Sequence, residues 1–179
     1  MTFTRRRCQR GITLVESAMV LGIVAVMVGV GAPSFDQVRA TRLLDVAAAQ
    51  LRTDVQLARS TAVAIGQTVR LQVQSEAAGS CYLLHTGPAG SCSCTPAGTA
   101  SCADPAQLLR TAAYGPAQGL ALKANVGSMA FEPIQGTVTP TGTLTMSTRR
   151  GDQLKVVVNV MGRARSCKAA GDLHGYPAC

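Results

Sequence analysis

The chain has 179 residues, a formal net charge of +8, no tryptophan and only 3% aromatic residues. Its core must therefore come from Val, Leu, Ala and Ile. Two histidines, His85 and His174, lie far apart in sequence, and no nucleophile motif, phosphate-cradling glycine loop or metal quartet accompanies them, so nothing points to an enzyme.

Residues 1–11 carry Arg5, Arg6, Arg7 and Arg10 and no acidic residue. That pattern keeps a leader cytoplasmic while the chain beyond it is exported. Residues 17–32 hold no charge, so Glu16 stands alone at the head of an apolar run. A charge inside a spanning helix costs about 2.5–3.5 kcal/mol, which implies a partner for it. Residues 12–35 make about 36 Å of helix, enough to cross a hydrocarbon core of about 30 Å.

The stretch Arg-Gly-Ile-Thr-Leu-Val-Glu at 10–16 resembles the class III signal of type IV pilins and type II secretion pseudopilins. The resemblance implies that a prepilin peptidase cuts after Gly11 and methylates the new N-terminus at Ile12. It implies that Glu16 pairs with the free amine of a neighbouring subunit during assembly. Pro33 falls where the family often kinks its helix, while Ile12 departs from the usual phenylalanine. The cut precedes the apolar run, unlike a secretory cleavage site, so the mature chain keeps its anchor. The expected location is the inner membrane, single-pass with a periplasmic domain, and then a pilus at the cell surface.

Loss of the leader 1–11 changes the composition. Seven cysteines become six, because Cys8 leaves, and an even number suits an oxidising compartment. The charge falls to +4, and all of that excess lies in residues 137–179.

From residue 36 a globular domain is expected to run to 179. Leu44, Ala48, Leu51, Val55, Ala58, Ala62 and Ile65 recur at spacings of four and three, one stripe of an amphipathic helix over 36–66. Gly66 is a natural stop. The stripe is expected to pack on a sheet rather than form a coiled-coil seam. Strands follow over 67–161. Val69, Leu71 and Val73 alternate with Arg70, Gln72 and Gln74, and Leu120, Leu122, Ala124 and Val126 repeat the pattern, as do Leu144 and Met146. Residues 154–160 are more continuously apolar and are expected to form a well-buried strand. The class is α+β: a long N-terminal helix, half transmembrane and half amphipathic, on an antiparallel sheet.

The passage Leu57-Ala58-Arg59-Ser60-Thr61-Ala62 through Val69-Arg70-Leu71 resembles GspH/FimT-type minor pilins. So does Phe131-Glu132-Pro133 with Gly136, Gly142 and Gly162-Arg163. Residues 77–118 match nothing in that pattern and are expected to be a Cys-rich insertion, a stapled surface loop. Cys92 and Cys94 are too close to pair. Two arrangements remain open: Cys81–Cys92 with Cys94–Cys102, or Cys81–Cys94 with Cys92–Cys102. Without a histidine in the cluster, zinc is disfavoured.

Residues 162–179 form a basic tail. If the backbone there is extended, Arg163 and Arg165 share a face about 6.5–7 Å apart, close to the spacing of phosphates along a nucleic-acid strand. Guanidinium forks suit phosphate oxygens. A Cys167–Cys179 bridge would close a loop worth about 3 kcal/mol and hold Lys168, His174 and Tyr176 near the arginines. Arg149 and Arg150 belong to the same positive segment.

Gly162-Arg163-Ala164-Arg165 resembles the GRxR motif of FimT-type minor pilins that bind DNA in natural transformation. The resemblance implies capture of extracellular DNA by a retractile type IV pilus. With Tyr176 the one aromatic near the patch and no constellation for reading base edges, binding to the phosphate backbone without sequence preference or cofactor is expected. Other major and minor pilins are the expected protein partners. Two further readings share anchor and fold: a minor pilin that primes assembly without touching DNA, and a GspH-type pseudopilin of a type II secretion system. Arg163 and Arg165 favour DNA.

Overall fold

A computed structural model describes residues 13–179, with the backbone alone described at 30–34 and 116. The leader, the processing pair Gly11 and Ile12, and the Pro33 side chain lie outside the described residues. The chain divides into two compact units, Met1–Arg39 and Ala40–Cys179.

One helix, α1 (Leu14–Ile65), contributes to both units. Its start is capped by Thr13, whose Oγ1 accepts the Glu16 amide at 3.2 Å. Thr13 and Glu16 thus have the spacing of a capping box, and a carboxylate in the first turn also suits the helix dipole. In the first unit Leu14, Met19, Leu21, Met27 and Phe35 are exposed. Among the described residues no helix is long and apolar enough to cross a membrane.

In the second unit the predicted stripe is the buried face of α1: Leu44, Ala48, Leu51, Val55, Ala58 and Ala62 are inaccessible to solvent. Ile65 departs from it at 45% exposure, because the helix ends there and Gly66 turns away with φ of 66°.

Eleven strands follow. The first sheet has the order β5-β2-β1-β7-β8, with β1 Val69–Glu76, β2 Gly79–Thr86, β5 Leu108–Tyr114, β7 Ser128–Phe131 and β8 Val138–Thr139. The second has the order β11-β10-β9-β6, with β6 Leu120–Ala124, β9 Gly142–Thr148, β10 Gln153–Val158 and β11 Ala164–Ala170. A small hairpin joins β3 (Cys92–Cys94) to β4 (Ala100–Cys102). The pairings inside both sheets are antiparallel. Leu51, Val55 and Ala58 of α1 share one core with Leu71, Tyr82, Phe131, Leu144, Met146 and Val156. All residues of that core lie in the second unit, which therefore carries what it needs to fold by itself.

Three sequence expectations are corrected here. Residues 77–118 are not a surface loop: β2 lies inside the first sheet, and Ser80 to Thr86 are all buried. Its outward face is covered by the β3–β4 hairpin, where Cys81, Leu83, Cys92 and Cys94 form a second small core. Of the two open pairings the observed one is Cys81–Cys94 with Cys92–Cys102. Gln72 and Gln74 hold the hairpin down. The Gln72 amide donates to the Cys92 carbonyl at 3.1 Å, and the Gln74 carbonyl accepts the Cys94 amide at 2.7 Å.

The second correction concerns 154–160. The strand stops at Val158, and only Leu154, Val156 and Val158 are buried. Val160, 54% exposed, sits in the following turn. Finally, the basic tail is no free tail: Ala164–Ala170 form β11, hydrogen-bonded along β10.

One polar group ties α1 to the first sheet. Asp54, 1% exposed, accepts the Tyr82 hydroxyl at 2.6 Å, the Arg110 Nε at 2.9 Å and the Gln50 amide at 2.9 Å. Burial first, then the Tyr114 ring and the Asp54 carboxylate, push the Tyr82 phenol well above its usual range. Burial also pushes Tyr114 up to about 12.

Candidate nucleic-acid interface

The β10–β11 hairpin places the two arginines. Its turn is closed by the Gly162 amide donating to the Asn159 carbonyl at 2.9 Å. The Asn159 amide donates to the Arg163 carbonyl at 3.1 Å, and the Asn159 side-chain oxygen accepts the Arg163 amide at 2.9 Å. Arg163 thus has both backbone polar groups fixed by one residue. Gly162 has φ of 69°, and a Cβ there would lie 3.0 Å from both the Arg59 Cδ and the Gly136 carbonyl. Only glycine fits this left-handed turn against α1. The Gly162 carbonyl also accepts the Gln56 amide at 3.4 Å.

Strand register decides which side chains share a face. Arg165 lies opposite Val157, and Cys167 opposite Lys155. Lys155 lies opposite Thr145, which in turn lies opposite Lys123. The outward face of the second sheet therefore carries Arg165, Lys155 and Lys123, with Arg163 at its turn, the hydroxyls of Thr143 and Thr145 among them and Ser147 beyond the lysines. The other face carries Leu144, Met146, Leu154 and Val156 into the core. Arg163, Arg165 and Lys123 are exposed, and Lys155 is half-buried. None of the four strands contains an acidic residue. Among the described residues none of these four cations has a carboxylate at ion-pair distance.

The other residues singled out in the sequence are dispersed. Lys168 lies opposite Leu154, on the reverse face from Arg165. Its amide donates to the Pro177 carbonyl at 2.8 Å, and its carbonyl accepts the Cys179 amide at 3.1 Å. The Cys167–Cys179 bridge forms and returns the C-terminus along β11. It does not bring Tyr176 to the arginines. Tyr176 packs on the core beside Asp45 and Arg52 of α1, where burial and then the Asp45 carboxylate raise its phenol. Asp45 is 14 positions, about 21 Å of helix, from Arg59. His174 is exposed near Asp172. Arg149 and Arg150 occupy the β9–β10 turn, at the opposite end of the sheet from Arg163.

Sequence reasoning missed Lys123, Lys155 and Asn159. The lysines do carry a signal, since each follows a buried residue in an alternating strand, Leu122 before Lys123 and Leu154 before Lys155. That both face outward from the same sheet depends on the strand order, which no local pattern reports.

The arrangement can hold a row of anions. It offers charge and hydroxyl donors but no aromatic platform, so it suits phosphates rather than unstacked bases. Among the described residues all six cysteine sulfurs are consumed in three disulfides.

A long helix whose later part, from Leu44 to Ala62, is buried against antiparallel sheets is the type IV pilin-like fold. The sequence profile of the family described as "Type II transport protein GspH" matches residues 47–162, and the chain belongs to that family. The pilin-like protein PilA1 of Thermus thermophilus is 43% identical over 76 residues, 42% of this chain. That match spans about half, 47%, of the relative's length. The type IV minor pilin FimU of Pseudomonas aeruginosa is similar at 21% identity and a TM-score of 0.49, over 69% of this chain and 91% of FimU. The minor pseudopilin EpsH of the Vibrio cholerae type 2 secretion system is similar at 16% identity and a TM-score of 0.46, over 70% of this chain and 96% of EpsH. These last two are likenesses of fold alone.

Proposed function

We propose that this chain is a minor pilin that binds extracellular DNA through phosphate contacts at Arg163 and Arg165, for uptake in natural transformation. The leader is cut after Gly11 by a prepilin peptidase and Ile12 is methylated. Residues 12–35 anchor the chain in the inner membrane with its domain in the periplasm, until Glu16 pairs with a neighbouring subunit's amine and the chain enters a pilus at the cell surface. The exposed apolar side chains at the start of α1 suit either surrounding, lipid or other pilins.

One observation carries the DNA reading. Arg163 stands exposed at the β10–β11 turn and Arg165 exposed on β11, on a face whose strands hold no acidic residue. Two unpaired guanidinium groups at phosphate-like spacing attract a polyanion, and the missing aromatics make the contact independent of sequence.

The test is a mobility shift with the domain 40–179 on random-sequence duplex, beside the Arg163→Gln/Arg165→Gln double variant. Wild type is expected to bind at low salt. The variant should lose about 1.8 from the slope of log K on log salt, at about 0.9 per phosphate contact. Equal binding by both proteins removes the assigned site. Absence of binding by wild type leaves the second reading, a subunit that primes a pilus or serves a type II pseudopilus, which the GspH family match favours.

A further inference from the structure

We infer that the phosphate path does not follow the chain beyond Arg165 but crosses the strands of the second sheet, from Arg163 and Arg165 over Lys155 to Lys123, and that its occupant is a duplex nucleic-acid backbone. This rests on the DNA reading above and assigns two residues to it that the motif does not contain.

The argument is one of register. Lys155 and Lys123 both lie opposite Thr145, one on each side, so their Cα atoms are two strand spacings apart, about 10 Å. Arg165 is one strand over from Lys155 and two residues along, a diagonal of about 7–8 Å. Arg163 is a further two residues on. The four cations form a bent row across β6, β9, β10 and β11, and no position in the row is more than about 10 Å from the next. Thr145 between the two lysines, and Thr143 opposite Val157 on the side of Arg165, put hydroxyl donors among them, groups that bind phosphate oxygens without reading sequence.

Charge complementarity selects the occupant. The outward face has four cations, no carboxylate in its strands and no aromatic side chain. An acidic protein surface would bring discrete carboxylates and apolar anchors, for which this polar face has no complement. A single strand would need stacking platforms to hold its bases. A duplex presents a continuous anionic edge and asks only for charge. The same geometry excludes the residues nearest in sequence. Lys168 faces the other way, with Leu154, and Arg149 and Arg150 lie at the far turn.

The experiment uses the domain 40–179 and a random-sequence duplex titrated between about 25 and 200 mM salt. Four contacts predict a slope of about −3.6. Lys123→Gln/Lys155→Gln is expected to reduce it to about −1.8, as far as Arg163→Gln/Arg165→Gln does, while Lys168→Gln leaves it at the wild-type value. A Lys123/Lys155 variant that keeps the wild-type slope, while the arginine variant loses its share, overturns the path and leaves the arginine site standing. Loss of slope in Lys168→Gln equal to that of the lysine pair likewise overturns it, in favour of a path along the chain. Wild-type binding without salt dependence overturns the path and the DNA reading together. Unchanged far-UV circular dichroism and melting temperature keep each result tied to binding.

Discussion

The two sheets are built on the same plan but are finished differently. The first is covered on both sides at β2, by the α1 core on one face and by the disulfide-stapled hairpin on the other. The second is covered on one side only and presents Lys123, Lys155 and Arg165 outward. A sheet buried on both faces contributes stability and leaves nothing accessible. A sheet buried on one face keeps half its side chains free of any packing duty, and in this chain that half is cationic. If the cationic half binds DNA as proposed, stability and binding fall to different layers, and each can be altered without the other.

The largest expected effect is on the first sheet. Asp54→Ala leaves the buried Tyr82 hydroxyl without its acceptor and Arg110 without its carboxylate. A loss of about 3 kcal/mol in urea unfolding of the domain 40–179 is expected. Arg110 is 46% exposed and can turn to water, which keeps the loss below that of a fully enclosed pair. A loss under about 1 kcal/mol would show that the helix is held by apolar contacts alone.

Alkaline titration gives a smaller effect on the same layer. Tyr114 has its folded pKa raised to about 12, and Tyr82 is raised further by burial. A raised folded pKa means that the unfolded state loses its proton first, so the stability held below pH about 10 falls as the pH climbs to 12. Tyr114 alone removes about 1.4 kcal/mol by pH 11. A flat profile between pH 9 and 11 would mean that both phenols reach water.

The smallest expected effect falls on the second sheet. Arg163→Gln/Arg165→Gln should leave the unfolding free energy within about 0.5 kcal/mol of wild type while DNA binding weakens. A large destabilisation would show that these arginines hold the hairpin, and the separation of layers would fail.

Two strands show how far the sequence could be read. Residues 80–86, Ser-Cys-Tyr-Leu-Leu-His-Thr, contain polar side chains and no alternation, yet every one is buried. Their outer cover comes from a hairpin pinned by Cys81–Cys94 and Cys92–Cys102, a contact that periodicity cannot report. Residues 154–160 look apolar enough for double burial, yet Val157 and Val160 reach solvent because nothing lies over them. The α1 stripe was legible because a helix needs only one partner surface. Asp54, next to the stripe residue Val55, was not, since its value lies in Tyr82 and Arg110, far along the chain. Of the site, Arg163 and Arg165 could be found from their motif and the extended backbone. Lys123 and Lys155 needed the order of four strands.

Gly162 has a mechanical consequence. It is wedged between Arg59 and the Gly136 carbonyl, and its own carbonyl is held by Gln56. Tension applied to a ligand gripped by Arg163 does not have to straighten a slack terminus before it is felt. It passes through one peptide into the flank of α1, while the strand behind it is hydrogen-bonded along β10. A grip mounted in this way can be pulled on.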